Sequence, residues 1–225
     1  HAFAELAKSL GYDRYGVQGG DWGSIISREI CRVDPENVTG CHITMLTGGP
    51  PGKPDDMEDI SDIEQQLLDR AAWYQAEDDG YFRIQQTRPQ TLGTGLNDSP
   101  AGLLAWITEK FYGWTDNSGD LLNTVDRDKL LANVSLYWFT GTINSSTRIY
   151  YEMFKTLEPG FGSTGDTPVG VSVFPYELMM PRRRWVEDSM NLVLWAEHEK
   201  GGHFASLETP EVFVEDVRKC FRGLR

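Results

Sequence analysis

The sequence predicts an α/β fold in which a parallel sheet is interrupted by a helical segment. Three observations support this prediction: residues 14–46 alternate strand, turn, helix and strand, residues 55–156 are mostly helical, and residues 169–221 return to strands and helices. Strands that alternate with helices are typical of a parallel sheet, and a helical insertion is a common substrate lid. The predicted boundaries are a first core part at 1–49, a lid at 50–166 and a second core part at 167–225.

The first core part predicts helix, strand, helix and strand in that order. Apolar residues share one helical face from Ala2 to Leu10, and Gly11 can end that helix. Residues 15–18 favour a strand, and apolar residues recur at helical spacing from Ile25 to Val33. A second strand is predicted at 39–46.

The lid opens with a glycine- and proline-rich linker at 47–54. Its predicted helices are 57–75, 101–112, 126–139 and 145–157. Ser99 and Pro100 form an N-terminal cap signal before the second of them.

The second core part begins with a strand in which Val169, Val171 and Val173 alternate. A short helix is predicted at 182–189 and a strand at 191–195. Thr209 and Pro210 are expected to cap and start the last helix.

Composition excludes several classes of function. The net charge is -13, which argues against a nucleic-acid-binding protein, and no apolar run is long enough to span a bilayer. The three cysteines are far apart and form no CxxC pair, which argues against a zinc site and favours a reducing compartment. We therefore expect no metal, no cofactor, no nucleic-acid partner and no membrane segment in this chain, and a cytoplasmic location.

The run Gly19-Gly20-Asp21-Trp22-Gly23 has the layout of a nucleophile elbow, a sharp turn between a strand and a helix. Small residues are expected to flank the nucleophile because larger side chains would clash there. Asp21 stands at the nucleophile position, and a carboxylate is already an anion at neutral pH. It could open an activated carbon–heteroatom bond and form an ester, which a second step must hydrolyse. The alternative is an ordinary Gly-Gly-Asp turn.

Functional side chains of a parallel sheet gather at the carboxyl ends of its strands, where Asp21, Glu177 and His203 are predicted. Their order, nucleophile, acid and histidine, is that of hydrolases with a nucleophile elbow. His203 would activate water, and Glu177 would hold the tautomer of His203 and stabilise its imidazolium form. The backbone N–H of Trp22 would stabilise an oxyanion. His203 alone could be a structural loop histidine. His198, in the same loop, is interpreted as a decoy, and His1 and His42 as structural.

The chain resembles epoxide hydrolases of the α/β-hydrolase fold, in the branch of microsomal and juvenile-hormone epoxide hydrolases. The resemblance covers nearly the whole chain, and the matching segments are 15–24, 85–91, 96–102, 137–143, 174–177 and 201–205. It implies that Asp21 is the nucleophile, Glu177 the charge-relay acid and His203 the base. It also implies that two lid tyrosines, Tyr81 and Tyr150, protonate the alkoxide that leaves when an epoxide opens; their alternative role is in the aromatic core, and Tyr151 is the neighbour most easily mistaken for Tyr150.

The resemblance also has a gap. The family has a His-Gly-x-Pro segment that completes the oxyanion hole, and this chain has none. We therefore expect the chain to hold the C-terminal part of the α/β-hydrolase sheet, with an unpaired first strand, and to be poorly active alone.

The expected substrate is a small apolar epoxide, because the lid is rich in aromatic residues. Trp138 and Trp22 are the residues expected to bind it. One alternative is a haloalkane dehalogenase-like enzyme, in which Trp22 could bind halide. Another is a non-catalytic module that binds an apolar ligand on the same fold.

Overall fold

The structure is a computed structural model, and it describes residues 1–153, 155 and 158–224. It consists of two compact units. The first comprises His1–Ala71 and the chain from Gly160 onward, and the second is Ala72–Pro159. The lid boundaries predicted at 50 and 166 enclose this second unit and stay a prediction.

The first unit contains a four-stranded, fully parallel sheet, which confirms the predicted fold class. Its strands stand side by side in chain order: β1 (Tyr15–Gly19), β2 (Val38–Ile43), β3 (Val169–Val173) and β4 (Leu192–Glu197). Ile43 pairs with Val171, and Val171 pairs with Trp195. Every residue of β3 is buried, as expected for a central strand with both faces covered.

The helices of the chain follow in order. They are α1 (Ala2–Ser9), α2 (Trp22–Val33), α3 (Asp62–Trp73), α4 (Gly80–Thr87), α5 (Pro89–Asp98), α6 (Pro100–Trp114), α7 (Arg127–Thr140), α8 (Ile143–Met153), α9 (Arg183–Val186), α10 (Ala205–Glu208) and α11 (Pro210–Arg222). A π-helical turn, Tyr74–Asp78, precedes α4, and a 3-10 turn, Leu121–Asn123, precedes α7. The end predicted for α8, at Leu157, lies outside the described residues.

Each unit has its own core. In the first unit, Cys31, Ile43 and Val171 are among the buried residues around the sheet. In the second unit, Leu103 is the most buried member of a cluster with Leu96, Val134 and Ile143. Periodic apolar residues thus build both cores, as the sequence pattern indicates.

Two of the predicted helix ends are confirmed, and a third is confirmed in position but not in its side-chain cap. Gly11 has a φ of 83° just after α1, where its N–H donates to the carbonyl of Lys8. Ser99 Oγ accepts the N–H of Gly102 at 3.0 Å and so caps α6. Thr209 and Pro210 occupy the N-cap and first positions of α11 as predicted, but the Thr209 hydroxyl donates to the carbonyl of Ala205 at 3.3 Å and caps no N–H of the helix.

Candidate active site

Asp21 occupies a strained turn between β1 and α2. Its φ is 50° and its ψ is -128°, a conformation that few residues other than glycine adopt. A Cβ added at Gly19 would lie 2.0 Å from the carbonyl oxygen of Gly23, so only glycine fits at position 19. A Cβ at Gly23 would meet no heavy atom of the described chain within 4 Å. The expected steric need for a small residue therefore holds at Gly19 and is wrong at Gly23, where the surroundings are open.

The structure brings together the three residues that sequence order singled out. His203 Nε2 lies 2.9 Å from Asp21 Oδ2, and His203 Nδ1 lies 2.7 Å from Glu177 Oε1. Glu177 is 1% exposed, and its Oε1 also accepts the N–H of Leu178 at 2.7 Å. The imidazole thus bridges two carboxylates, one buried and one, that of Asp21, 36% exposed.

The electrostatics of this cluster favour the charged forms of His203 and Asp21. Burial alone would lower the pKa of His203, but the carboxylates of Glu177 and Asp21 outweigh it and raise the pKa to about 10. Burial acts to raise the pKa of Asp21, yet the hydrogen bond and charge of His203 lower it overall. At neutral pH the arrangement is an anionic Asp21 held by an imidazolium, which leaves the carboxylate free to act as a nucleophile without a base.

Trp22 begins α2 directly after Asp21. Its backbone N–H donates to Asp21 Oδ1 at 2.5 Å. The Trp22 N–H therefore holds Oδ1 of the Asp21 carboxylate, and His203 holds Oδ2. The same N–H can stabilise negative charge on Oδ1 if a tetrahedral intermediate forms at the Asp21 carbonyl carbon.

The second unit holds the two tyrosines named by the family resemblance, and it places them side by side. The rings of Tyr81 and Tyr150 pack edge to face with centroids 5.9 Å apart. The hydroxyls of Tyr81 and Tyr74 lie 3.2 Å apart. Tyr151 is not part of this group: the ammonium of Lys155 lies 3.4 Å from the centroid of its ring. The structure therefore separates Tyr150 from its neighbour, while their chemical role stays a prediction.

Around Tyr81 the sequence reasoning missed a polar cluster. Lys110 Nζ lies 4.6 Å from the centroid of the Tyr81 ring and 2.6 Å from Asp78 Oδ1, and the indole N–H of Trp114 donates to the other oxygen of Asp78. Asp78 belongs to the π-helical turn, and such turns are frequent at functional sites. No spacing rule predicts this turn, so the sequence offered no signal for the cluster.

Trp138, a predicted substrate contact, is half-buried against the apolar core of the second unit. Trp22 is also half-buried. Among the described residues, no group of three or more histidines, cysteines, aspartates or glutamates could hold a metal ion. No helix in the described part of the chain combines the length and apolar character needed to cross a membrane.

Comparison with known proteins gives one consistent result. A protein of Stigmatella aurantiaca (strain DW4/3-1) is 44% identical over 225 residues, which cover 100% of this chain and 50% of the relative. Epoxide hydrolase 1 of Sus scrofa is 34% identical over 99% of this chain and 54% of its own length. The chain spans about half the length of the curated relatives it matches. No family model matches it.

Solved structures agree with these relatives. The epoxide hydrolase of Aspergillus niger matches with a TM-score of 0.87 and 30% identity, over 100% of this chain and 56% of that one. The juvenile hormone epoxide hydrolase of the silkworm Bombyx mori matches with a TM-score of 0.85 and 32% identity, over 99% of this chain and 57% of that one. Both similarities run through the two units described above.

Proposed function

We propose that this chain belongs to the epoxide hydrolase family and carries the groups that convert an epoxide to a vicinal diol through an ester of Asp21; its similarity to epoxide hydrolases in sequence and in structure supports this. The observation that carries the proposal is the imidazole of His203 between Asp21 and Glu177, at 2.9 Å and 2.7 Å. The Asp21 carboxylate can form the ester without a base. Hydrolysis of the ester requires water activated by a base, and His203 lies in position to act as that base. The proposed substrate is a small apolar epoxide.

In the first step, a carboxylate oxygen of Asp21 attacks one carbon of the epoxide ring. A carbon–oxygen bond forms to the enzyme, the ring carbon–oxygen bond breaks, and the electron pair stays on the departing oxygen as an alkoxide. An alkoxide is a poor leaving group and needs a proton. We assign this proton to the phenols of Tyr81 and Tyr150; a phenol of pKa near ~10 stays protonated at pH 7 and can donate.

In the second step, water attacks the carbonyl carbon of the ester while His203 accepts its proton. Ester formation prepares this step, because it removes the negative charge of Asp21 that keeps the imidazole protonated. The pKa of His203 then falls toward the range of a general base, so the ring releases its proton to solvent, while the phenolate left by the first step takes a proton back from solvent. The neutral imidazole can then accept the proton of the attacking water, and Glu177 stabilises the imidazolium that forms. Collapse of the tetrahedral intermediate releases the diol and restores the Asp21 carboxylate, with the N–H of Trp22 donating to the oxyanion.

The alternatives are not favoured. A halide leaves as a stable anion and needs N–H donors rather than phenols, so the paired phenols suit an epoxide better than a haloalkane. Binding of an apolar ligand does not require a buried acid, or a histidine in contact with the carboxylate of the elbow, and this chain has both.

The proposal is tested by a single-turnover reaction of this chain, joined to the upstream His-Gly-x-Pro segment of the family, in oxygen-18 water with an aryl epoxide and a lipid-like epoxide. We expect the label in the Asp21 carboxylate and an unlabelled first-turnover diol, read by mass spectrometry of the peptide that contains Asp21. Asp21→Asn serves as the control and should form no ester. Label in the first-turnover diol, with Asp21 unlabelled, would show direct attack by water and sink the mechanism.

The role of the phenols has its own test. Tyr81→Phe and Tyr150→Phe should each slow ester formation by about 10²-fold, the scale of a lost general acid, and leave ester hydrolysis unchanged. Tyr151→Phe is the matched control and should change neither step. A slower hydrolysis step in either variant, with ester formation intact, would contradict the assignment.

A further inference from the structure

The first unit contains a second histidine–carboxylate pair that the reaction proposed above does not use. It belongs to a polar chain of four residues, of which His42, Ser172 and Asp216 are buried and His198 is partly exposed. We propose that this polar chain, through its members His198 and Asp216, positions the loop that carries His203. The inference rests on the role proposed for His203, and one of its tests needs no turnover.

The four residues come from four different parts of the first unit. His42 lies on β2, Ser172 on β3, Asp216 on α11, and His198 just after β4. His198 Nε2 lies 2.5 Å from Asp216 Oδ2, Ser172 Oγ donates to the same oxygen at 2.8 Å, and His42 Nε2 lies 3.0 Å from Ser172 Oγ. This polar chain therefore connects α11 to the sheet and to the loop before His203 by hydrogen bonds.

The direction of each hydrogen bond in the polar chain can be assigned. The Ser172 hydroxyl gives its one proton to Asp216, so its oxygen accepts a proton from His42 Nε2. His42 is fully buried, and burial lowers its pKa to about 4, so its ring is neutral with Nδ1 unprotonated. Nδ1 of His42 has no hydrogen-bond partner in the described residues, which agrees with this tautomer. His198 must then donate to Asp216, because a carboxylate only accepts.

Asp216 depends on His198. Its side chain is 1% exposed, and a buried carboxylate is costly unless donors satisfy it. Of its other partners in the described residues, Ser172 is neutral, and the ammonium of Lys219 lies 3.8 Å away on a side chain that is 49% exposed. The ring of His198, at 2.5 Å, is therefore the closest side-chain donor to the Asp216 carboxylate among the described contacts.

The loop from His198 to His203 is held at two points. At its start, the N–H of His198 donates to the carbonyl of Val173 at 3.0 Å, and its ring stacks on Phe174 at 4.9 Å. Near its end, the carbonyl of Gly201 accepts the N–H of Tyr176, the residue before Glu177, at 3.1 Å. The hydrogen bond from the His198 ring to Asp216 adds a side-chain contact at the start of the loop, and we infer that without it the loop shifts and the 2.7 Å and 2.9 Å contacts of His203 lengthen.

Three variants separate positioning from general stability. His198→Phe keeps an aromatic ring to stack on Phe174 but removes the donor to Asp216. His198→Gln keeps a side-chain N–H donor and serves as the conservative rescue. Lys219→Gln is the control, because it removes the exposed charge near Asp216 and leaves the polar chain intact. Circular dichroism establishes that each variant is folded.

The first readout is the downfield proton resonance of His203 Nδ1–H in its hydrogen bond to Glu177, measured by NMR on the purified chain. We expect it in the wild type, Lys219→Gln and His198→Gln, and we expect it shifted upfield or lost in folded His198→Phe. An unchanged resonance in folded His198→Phe would overturn the inference. If His198→Phe does not fold, the resonance in His198→Gln decides instead: its loss there, despite the retained donor, would also overturn the inference.

The second readout is kinetic. His198→Phe should slow ester hydrolysis by about 10-fold to 10²-fold, the scale of a misplaced catalytic group, and change ester formation by less than about 2-fold. Equal slowing of both steps would indicate a general structural role and contradict positioning. If the wild-type chain, joined to the His-Gly-x-Pro segment of the family, forms no ester, the proposed function fails, while the NMR result still decides whether His198 holds the loop.

Discussion

Replacement of Asp21 by Asn tests the central electrostatic argument directly. The change keeps the shape of the side chain at the elbow and removes one of the two carboxylates that contact His203, the one whose Oδ2 lies 2.9 Å from Nε2. If the two carboxylates raise the pKa of His203 to about 10, loss of one must lower it, and Glu177 must keep it above the ordinary value of 6.5.

The expected decrease in the pKa of His203 follows from the distance between the two charged groups. Two unit charges about 4 Å apart interact by about 4 kcal/mol at an effective dielectric constant of ~20, which corresponds to a pKa change of roughly 3. The Asp21 side chain is 36% exposed, so water screens part of this interaction. After this discount we expect Asp21→Asn to lower the pKa of His203 by roughly 1 to 2.

The measurement is an NMR titration of the carbon-13-labelled histidine rings. The chain has four histidines, and the resonance absent from His203→Gln identifies the relevant ring. Asp55→Asn is the matched control, because Asp55 pairs with Arg184 and touches no part of the His203 cluster in the described contacts. A decrease of less than about 0.5 in the pKa of His203 in Asp21→Asn would refute the reasoning, and so would an equal decrease in the control.

Three further predictions concern stability. Gly19→Ala should destabilise the fold by more than ~3 kcal/mol in urea unfolding, since its Cβ would overlap the Gly23 carbonyl, whereas Gly23→Ala should cost less than ~1 kcal/mol; equal losses would contradict this. Ser99→Ala should cost about 1 kcal/mol through the lost cap, and Ser99→Asp should recover it. Because the pKa of His203 is raised to about 10, its contribution is fully present below pH 6.5 and falls by up to ~1.4 kcal/mol per pH unit toward pH 10; His203→Gln should lack this fall.

The candidate site was largely accessible to sequence reasoning because its signals are local. The elbow is a run of five residues, and its glycine at position 19 is required by a contact with Gly23, only four residues away. Glu177 follows the strand predicted from the alternating valines, and His203 follows the strand predicted at 191–195. Family resemblance then supplied Tyr81 and Tyr150, which the residues alone did not distinguish from other aromatics.

The polar chain behind the site escaped the sequence reasoning for the opposite reason. His42 was interpreted as structural and His198 as a decoy, because neither sits in a recognisable pattern. Ser172 and Asp216 are 44 residues apart in the chain, and their hydrogen bond exists only because α11 packs against β3. The cluster of Lys110 with Asp78 likewise joins residues 32 apart through a π-helical turn.

The sequence by itself determined the order of the four strands, the strained turn at Asp21 and the candidate reactive groups, but it did not indicate α4, α5 or α10. The features that it did determine depend on backbone preferences and periodicities of neighbouring residues, which a linear pattern records. The tertiary structure alone decided which carboxylates His203 touches, since Asp21 lies 182 residues before it. The charge of His203, and the loop anchor proposed for His198, depend on such distant contacts and on burial, because both arise only when separate segments pack together and exclude water.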